Sequence, residues 1–290
     1  MQRLEPAASI PPMIPEASRT PTLHIAIVVY ESDLSRLKDT LKSLDAAAAK
    51  ATESGALASV TLSLVDNGSS ESYRSRLDGL WSEWREGMTT EMRAELISTP
   101  VNGGFGAGQN AALLGTDEDH LLILNPDVEL ETSALANAAS ALAMDSSLVA
   151  LNPRSLRADG QREYLSKSYP SLGVLLLRGF GFKDSKACRR YEYRDADAKS
   201  SFPVTLLSGA FLYCRGDAFR TLRGFDERYF LYFEDFDLSM RLADLGRLRY
   251  EPAVEITHHG GGASRKGGRH IRYFVRSAIR FFSTHGWRLF

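Results

Sequence analysis

Short apolar runs alternate with apolar residues at helical spacing along residues 23–152. The first run, Leu23–Tyr30, is continuous and rich in β-branched residues, as in a strand that is covered on both faces in a parallel sheet. Leucines recur every three or four residues from Leu34 to Leu44, which predicts a helix with one buried face, capped by Ser32 or Asp33. A second run, Val60–Val65, completes the pattern of a βαβ unit.

The same alternation continues to about residue 152. It predicts strands at residues 94–98, 121–124 and 148–151, and helices at residues 77–84, 108–114 and 132–144. We therefore expect an α/β fold with an open, Rossmann-like, mostly parallel sheet flanked by helices, in which ligands bind beyond the carboxyl ends of the strands. No element is predicted between residues 153 and 205, and a helix is predicted again within residues 230–246.

Composition is that of an ordinary globular protein. The chain has 290 residues, of which 43% are hydrophobic, and a formal net charge of −1. Its apolar runs fall far short of the about 20 residues that cross a bilayer, so no membrane-spanning helix is predicted. Five of the eleven prolines lie in the first 21 residues, which lack the apolar core of a signal peptide; residues 1–22 are interpreted as a disordered, proline-rich arm. Cys188 and Cys214 have no metal-ligand spacing and indicate a reducing, cytoplasmic compartment.

Charge is distributed unevenly along the chain. Residues 1–255 hold 28 basic and 36 acidic residues, whereas residues 256–290 hold seven basic residues and no acid. Within residues 265–290, arginines flank an apolar stripe formed by Ile271, Phe274, Val275, Ala278 and Phe282. This pattern is typical of a helix on an anionic membrane surface, and equally of a C-terminal helix packed on the core. Nucleic-acid binding is a weaker alternative, because the body is acidic and no nucleic-acid module is recognised.

Polar loops follow three of the predicted strands. Asp66 is suited to accept hydrogen bonds from a ligand N–H group, or else builds a simple turn. The loop Asn102–Asn110 contains four glycines, which either admit a ligand close to the backbone or form a flexible turn; it matches neither the Rossmann fingerprint nor the P-loop. Asn125 and Asp127 present an amide and a carboxylate that suit Mg²⁺ or Mn²⁺ and its phosphates, or else an ordinary Asn-Pro-Asp turn.

Two further groups lie in the C-terminal half. Glu234 and Asp235 follow the aromatic run Phe230–Phe233 at the start of a predicted helix. Acids are favoured there by the helix dipole, but aromatic walls would also raise the pKa of one carboxylate into the range of a general base. His258 and His259 precede a glycine-rich loop, and a histidine beside oxygen ligands can complete a metal shell.

The ordered set of these motifs resembles the family 2 glycosyltransferases, and most of all their bacterial rhamnosyltransferase-like members. The likeness covers about residues 23–285 and rests on motifs found in this order: Val29-Tyr30, Asp66–Ser70, Asn102–Asn110, Leu124–Asp127, Ser208–Ala210, Gly224–Glu227, Tyr232–Leu238 and His259–Ser264. The order is far more specific than any one motif.

This resemblance implies a GT-A fold and the inverting transfer of a sugar from a nucleotide-diphosphate donor to an acceptor hydroxyl. Residues 23–152 would be the nucleotide-sugar-binding half, 153–264 the acceptor-binding and catalytic half of the same domain, and 265–290 a basic amphipathic C-terminal helix. Asp235 would be the catalytic base. A divalent metal, Mg²⁺ or Mn²⁺, would be held by Asp127 and by His259, which fits better than His258 because Gly262 and Ser264 follow it at the expected positions. The nucleotide sugar would be bound by Val29, Tyr30, Asp66, Asn102, Gly103, Gly104, Phe105, Asn110, Asn125, Ser208, Gly209 and Glu234.

Two positions depart from the family pattern. Asn125 replaces the first acid of the usual Asp-x-Asp, which removes one negative charge from the metal site, and Glu31 stands where the family commonly has Asn. The favoured donor is dTDP-L-rhamnose, with a UDP-hexose as alternative. The favoured acceptor is a glycan or lipid-linked sugar of bacterial lipopolysaccharide or surface polysaccharide, at the cytoplasmic face of the inner membrane. Because Asn125 replaces an acid, a catalytically silent nucleotide-sugar-binding module is an alternative to an enzyme.

Overall fold

The computed structural model describes residues 19–260 and 268–289. Ten strands of these residues form one sheet: β1 (Thr22–Val29), β2 (Ser59–Asp66), β3 (Arg93–Ser98), β4 (His120–Leu124), β5 (Val128–Leu130), β6 (Leu148–Arg157), β7 (Arg162–Glu163), β8 (Phe202–Pro203), β9 (Phe211–Arg215) and β10 (Arg247–His258). The helices are α1 (Leu34–Glu53), α2 (Glu71–Gly87), α3 (Phe105–Leu113), α4 (Ala134–Ala143), α5 (Leu172–Gly179), α6 (Lys186–Tyr191), α7 (Gly216–Thr221), α8 (Glu234–Ala243) and α9 (Gly268–His285). This is the α/β architecture that the hydrophobic pattern predicts.

Most strands of the sheet run in one direction. Along the order β3-β2-β1-β4-β9-β6-β10-β5, strands β9 and β5 are antiparallel to their neighbours, and the other six share one direction. The predicted mostly parallel sheet is therefore confirmed. Both halves of the chain contribute to it, because β9 enters between β4 and β6.

Strand β1 illustrates why the centre of the sheet is buried on both faces. Ile25 and Ile27 pack with residues of α1, α2 and α4, whereas Ala26 and Val28 pack with residues of α3, α7 and α8. Successive side chains of a strand point to opposite faces, so a continuous apolar run supplies both layers of the core.

The predicted elements of residues 23–152 are present, with small shifts at their ends. Strand β1 begins at Thr22, one residue earlier than expected, and Asp33 caps α1 by accepting a hydrogen bond from the Ser35 backbone N–H at 2.8 Å. Helix α3 begins at Phe105 rather than near Gly108, so six of the nine residues of the glycine-rich loop are helical. Strand β5 was not predicted, since three residues carry too little pattern.

The C-terminal half contains elements that the sequence pattern did not reveal. Strand β10 is twelve residues long, but its pairing with β6 shifts register between Glu251 and Glu255, around Pro252. Proline within a strand sequence argues against a strand unless the strand is bulged, which explains the omission. The short helices α5 and α6 lie in the segment where no element was predicted.

Helix α9 confirms the helical pattern near the C-terminus. Phe281 and Phe282 are buried in an aromatic cluster with Tyr229 and Phe233, so one side of the helix packs on the domain. Among the described residues, no helix has the combination of length and apolar character needed to cross a membrane.

Candidate active site

The direction of the strands brings the sequence-predicted loops together. Strands β1, β2, β4 and β10 end at one edge of the sheet, and the antiparallel strand β9 begins there. Tyr30, Asn67, Asn125, Gly209 and His259 consequently lie along the same edge. Two cavities open beside it.

The first cavity, which we name the donor cavity, has a volume of about 800 Å³. It is lined by side chains from β1, the glycine-rich loop, the β4–β5 turn and the first turns of α9: Tyr30, Glu31, Arg36, Asn67, Asn102, Gly104, Phe105, Asn125, Asp127, His259, Arg269, His270 and Tyr273. Five of the twelve residues that the resemblance assigns to the nucleotide sugar are on this lining: Tyr30, Asn102, Gly104, Phe105 and Asn125.

The glycine-rich loop is held in one tight conformation at the cavity edge. Gly104 has φ of +96°, and a Cβ there would lie 2.3 Å from the Phe230 carbonyl oxygen. Asn67 Nδ2 donates to the Gly104 carbonyl at 2.9 Å, while the Gly103 backbone N–H donates to Asn67 Oδ1 at 3.3 Å. Asn102 Oδ1 accepts from the Gly104 N–H at 2.9 Å. Asn67, which sequence reasoning had treated only as a turn residue, therefore fixes this loop.

Asp66 is placed below the cavity rather than on its lining. Its side chain is fully buried; Oδ2 accepts from Arg74 Nε at 2.9 Å and Oδ1 from the Ser69 backbone N–H at 3.1 Å. Glu31 contacts the start of α2, where its Oε1 accepts a hydrogen bond from the Ser70 backbone N–H at 2.7 Å. The departure at Glu31 thus has a structural account, because a carboxylate is favourable at a helix N-terminus.

Two other predicted contacts also lie behind the lining. Val29 is buried, and its carbonyl accepts from the Asn67 N–H at 2.9 Å. Asn110 is buried and binds the backbone of Phe225 through both side-chain atoms, at 2.8 and 2.9 Å. Neither residue lies on the cavity lining; Val29 holds Asn67 in place, and Asn110 holds Phe225.

Asp127 and the two histidines meet at the end of β10. Asp127 lines the donor cavity, and its Oδ1 lies 3.4 Å from His258 Nε2. Burial favours the neutral form of both groups, but the contact lowers the pKa of Asp127, and contacts with Asp127 and Glu163 raise the pKa of His258 to about 9. His259 lines the same cavity as Asp127, its backbone N–H donates to the Asp127 carbonyl at 2.9 Å, and its Nε2 lies 2.5 Å from Glu129 Oε1. Gly262 and Ser264, on which the choice of His259 rested, lie outside the described residues.

These residues fit a hard divalent cation that shares its shell with a ligand. Asp127 Oδ1 is buried, and its contact with His258 Nε2 at 3.4 Å lacks hydrogen-bond geometry; His259 borders the same cavity. No group of three or more His, Cys, Asp or Glu residues within 19–260 and 268–289 is arranged to hold a metal alone. Mg²⁺ and Mn²⁺ commonly take few protein ligands and complete their shells with substrate phosphates and water.

The second cavity, which we name the acceptor cavity, has a volume of about 550 Å³. Apolar side chains of α5, α8 and α9 form much of its wall, and its polar lining includes Ser208, Glu234 and Asp235. Two residues that the resemblance assigns to the nucleotide sugar, Ser208 and Glu234, therefore border this second cavity. Ser208 is held there by Asn152, whose Oδ1 accepts from the Ser208 N–H at 2.8 Å.

Asp235 has the environment of a general base. Its Oδ2 accepts from the Gly209 backbone N–H at 3.0 Å and its Oδ1 from the Phe236 N–H at 2.9 Å. Burial raises the pKa of Asp235 to about 6, although these hydrogen bonds oppose the rise. Burial, and then the charge of Asp235, raise the pKa of Glu234 well above its ordinary value. With a pKa of about 6, Asp235 is largely ionised at neutral pH.

A strained turn aims the two acids. Tyr232 and Phe233 have φ of +71° and +64°, in the left-handed region that bulky residues rarely adopt. Helix α8 begins immediately afterwards at Glu234. Strain of this kind costs on the order of 1–3 kcal/mol per residue and is concentrated at functional sites.

The two cavities share their walls. Phe230 and Leu231 line the donor cavity, whereas the next residues, Tyr232 and Phe233, line the acceptor cavity. The pairs His259 and His258, and Tyr273 and Phe274, divide in the same way. In each of these three segments, one residue lines the donor cavity and its neighbour in the sequence lines the acceptor cavity. The two cavities therefore lie side by side.

Sequence reasoning missed a cationic cluster beside Asp235. Lys167 lines the acceptor cavity, its Nζ lies 3.4 Å from Glu192 Oε1, and burial lowers its pKa to about 8. Arg178 and Arg194 contact the same carboxylate. Lys167, Arg178 and Arg194 lie 11 to 27 positions apart in a segment without periodicity, so no sequence signal pointed to them.

Comparison with known sequences finds rhamnosyltransferases. No protein-family model matches the chain. It is 29% identical over 210 residues to the N-acetylglucosaminyl-diphospho-decaprenol L-rhamnosyltransferase of Mycobacterium tuberculosis, covering 66% of this chain and 68% of the relative. It is 27% identical over 193 residues to the rhamnosyltransferase WbbL of Escherichia coli, covering 62% of this chain and 70% of the relative.

Solved glycosyltransferases have the same fold. GalNAc-T7 with UDP, GalNAc and Mn²⁺ superimposes with a TM-score of 0.60 at 14% identity, over 92% of this chain and 51% of that one. The mannosyltransferase PcManGT of Pyrobaculum calidifontis, in complex with GDP-Man and Mn²⁺, gives 0.59 at 16% identity, over 91% of this chain and 65% of that one. The chain thus spans about half and about two thirds of their lengths, and the likeness at this identity shows the fold.

Proposed function

We propose that this chain, a family 2 rhamnosyltransferase-like glycosyltransferase with the GT-A fold, transfers L-rhamnose from dTDP-L-rhamnose to a hydroxyl group of a glycan or lipid-linked acceptor. The observation that carries this proposal is the position of Asp235, a buried carboxylate with a pKa of about 6 on the lining of the acceptor cavity. The donor cavity adjoins it across residues 230–233.

The donor cavity supplies the groups that a nucleotide sugar requires. Tyr30 is 51% exposed and offers an aromatic face to the base, and the tight loop at Asn102–Phe105 brackets the nucleoside and sugar. Arg36 and Arg269 line the same cavity and carry the positive charge that a diphosphate needs. Asp127 and His259 would hold a divalent metal, with Asn125 as a neutral neighbour. When bound, the metal supplies charge stabilisation to the leaving diphosphate.

The acceptor cavity supplies one base, which is sufficient for inversion. Asp235 takes the proton of the acceptor hydroxyl while the oxygen forms a bond to the anomeric carbon. The bond from that carbon to the diphosphate breaks on the opposite face, and the nucleotide diphosphate leaves. Configuration is therefore inverted, and no second carboxylate is needed as an acid.

The name of one relative supports our proposal for the acceptor. The mycobacterial relative is named for a diphospho-decaprenol acceptor, so we infer a lipid-linked acceptor that is elongated in bacterial lipopolysaccharide or surface-polysaccharide synthesis. The enzyme would work in the cytoplasm, at the inner face of the membrane.

A ligand panel tests the donor and metal assignments. Melting temperature is measured with dTDP-rhamnose, UDP-glucose, UDP-N-acetylglucosamine and GDP-mannose, each with Mn²⁺, Mg²⁺ or chelator. A ligand that binds only the folded state raises the melting temperature. We expect a metal-dependent rise with dTDP-rhamnose, followed by rhamnose transfer to an N-acetylglucosaminyl-diphospho-lipid.

Two variants test whether Asp127 is responsible for the metal dependence of the melting temperature. Asp127→Asn should abolish the difference between metal and chelator, whereas Asp78→Asn, on the exposed surface of α2, should leave it unchanged. A rise in melting temperature with UDP-glucose alone would indicate a UDP-hexose donor instead of dTDP-rhamnose. Donor binding without transfer to any acceptor would favour a silent binding module and contradict the enzymatic proposal.

A further inference from the structure

Helix α9 presents two apolar sides, only one of which is covered. Phe281 and Phe282 are buried against Tyr229 and Phe233. Ile271, Val275 and Ile279, which recur every four residues, are 66%, 49% and 53% exposed. Residues at this spacing share one helix face. Packing on the domain therefore covers only one of the two apolar sides of the helix.

The exposed side of α9 is strongly basic. Ile271, Val275 and Ile279 line an open groove together with Arg272 and Arg276. The sequence from residue 256 to 290 contains no acid to balance them. An apolar stripe bordered by arginines is complementary to an anionic apolar surface and poorly suited to water. Glu227, from the loop before α8, lines a neighbouring cavity together with Arg276.

A second surface of the same character lies on α5 and the turn after it. Leu176, Phe180 and Phe182 are 60%, 76% and 62% exposed. The C-terminal segment joins this surface to α9, because the backbone N–H groups of Leu172 and Gly173 donate to the carbonyls of Arg288 and Leu289 at 2.9 and 3.0 Å. Trp287 and Leu289 in this segment are 53% and 63% exposed, so exposed apolar side chains occur on α5, on α9 and on the segment that joins them.

Both helices border the acceptor cavity. Leu175 and Arg178 of α5 and Phe274 of α9 lie on its lining, and Lys183 follows α5 on the same lining. The two exposed apolar surfaces therefore belong to the same helices that form walls of the acceptor cavity.

We propose that the outer face of α9 and the segment Leu176–Phe182 together form a docking surface for an anionic lipid bilayer, around the acceptor cavity. The apolar side chains enter the boundary between headgroups and acyl chains, and Arg272 and Arg276 contact anionic headgroups. The nature of the acceptor, a sugar on a membrane lipid, rests on the proposed function. The docking surface itself does not, since it follows from exposure and charge alone.

Vesicle sedimentation of the full-length protein tests the surface. Vesicles of phosphatidylcholine with phosphatidylglycerol are compared with vesicles of phosphatidylcholine alone, for the wild type and for two double variants, Val275→Ser with Ile279→Ser and Leu176→Ser with Phe180→Ser. Met144→Ser is the matched control, because Met144 is 88% exposed at the end of α4. Each double variant should require about tenfold more anionic lipid for half-maximal binding, and the control should not.

Several outcomes would overturn the proposal. One is that the wild type does not bind vesicles at all, and another is that it binds neutral and anionic vesicles equally. Binding lost in the α9 variant but kept in the α5 variant would also contradict the proposal. So would a wild-type dimer in solution that the variants dissociate. Rhamnose transfer to a short-chain, water-soluble acceptor is measured in parallel without vesicles, and should be unchanged in all variants. Failure of that assay in the wild type would count against the proposed function, whereas the sedimentation result stands independently.

Discussion

At the scale of single residues, the properties of Asp235, the proposed base, depend on where the fold places it. The cavity around it has aromatic walls and a cationic cluster at Lys167 and Arg178, and its two oxygens accept only backbone N–H groups from the residues described. Burial raises its pKa to about 6, which leaves it ionised at neutral pH and still basic enough to take a proton.

Replacing this carboxylate tests its role directly. Asp235→Asn should lower the transfer rate about 10³-fold, since general bases contribute roughly 10²- to 10⁴-fold. The rise in melting temperature with dTDP-rhamnose should persist, because Asp235 borders the other cavity. Asp244→Asn, exposed at the end of α8, is the control and should retain full activity. Transfer at more than a tenth of the wild-type rate by Asp235→Asn would contradict the assignment.

The pH dependence provides a second check on the same group. The carboxylate is active when ionised, so kcat/KM should be constant above its pKa of about 6 and should decrease as the pH falls through that value. Below it, the decrease should approach about tenfold per pH unit. A rate that remained constant down to pH 5 would mean that a group with an ordinary carboxylate pKa is the base.

Sequence reasoning was most informative where chemistry is local. The acids at the start of α8 and the Asn-Pro-Asp turn were identified from their place after strands and aromatic runs, and both border cavities. It could not reveal that Asp66 is paired with Arg74, or that Asn110 holds the backbone of Phe225. Those partners are set by how elements pack, and the type of residue alone does not encode them.

At the scale of elements, the glycine-rich loop depends on one close approach. Gly104→Ala would place a methyl group 2.3 Å from the Phe230 carbonyl oxygen at a φ of +96°. We expect a loss of roughly 2 kcal/mol or more in the free energy of unfolding, together with weaker donor binding. Gly79→Ala, within α2 with no atom near the new methyl group, should instead stabilise by about 0.5–1 kcal/mol. Chemical denaturation of both variants measures these effects, and equal stability of the two would contradict this account of the loop.

The elements of the first half were predictable because their periodicities are clear. Buried parallel strands have continuous apolar runs, and amphipathic helices repeat every three or four residues. Strand β10 has the opposite character, since Pro252 interrupts an alternating sequence at the bulge. Helix α5 is only eight residues long and has no buried side chain, so its pattern resembled that of a loop.

At the scale of the whole molecule, α9 ties the two cavities together. Its first turns contribute Arg269 and Tyr273 to the donor cavity, Phe274 lies on the acceptor cavity, and Phe281 is buried with α8. The packing of one helix therefore affects both substrates. The position of β9, between strands that precede it by many residues, similarly joins the two halves and has no local signal in the sequence.

Truncation of the buried anchor should reveal this coupling. Phe281→Ala should lower the free energy of unfolding by about 3–5 kcal/mol, as expected for a large side chain removed from a core. It should also weaken donor binding, although Phe281 is not on the donor cavity lining. Ile279→Ala, two residues away and 53% exposed, should change stability by less than about 0.5 kcal/mol. Calorimetry and titration with the donor measure both quantities, and unaltered donor affinity in Phe281→Ala would refute the coupling.

The hydrogen bonds to Asp235 have a consequence for altering this enzyme. Since they come from the backbone at Gly209 and Phe236, the base does not rely on any neighbouring side chain for its orientation. Side chains on the cavity wall away from the turn at Tyr232 and Phe233, such as Leu175 and Lys183, can therefore vary in size and polarity without displacing it. Acceptor preference is thus separable from catalytic competence, and libraries randomised at the wall positions should yield active enzymes that recognise new acceptors.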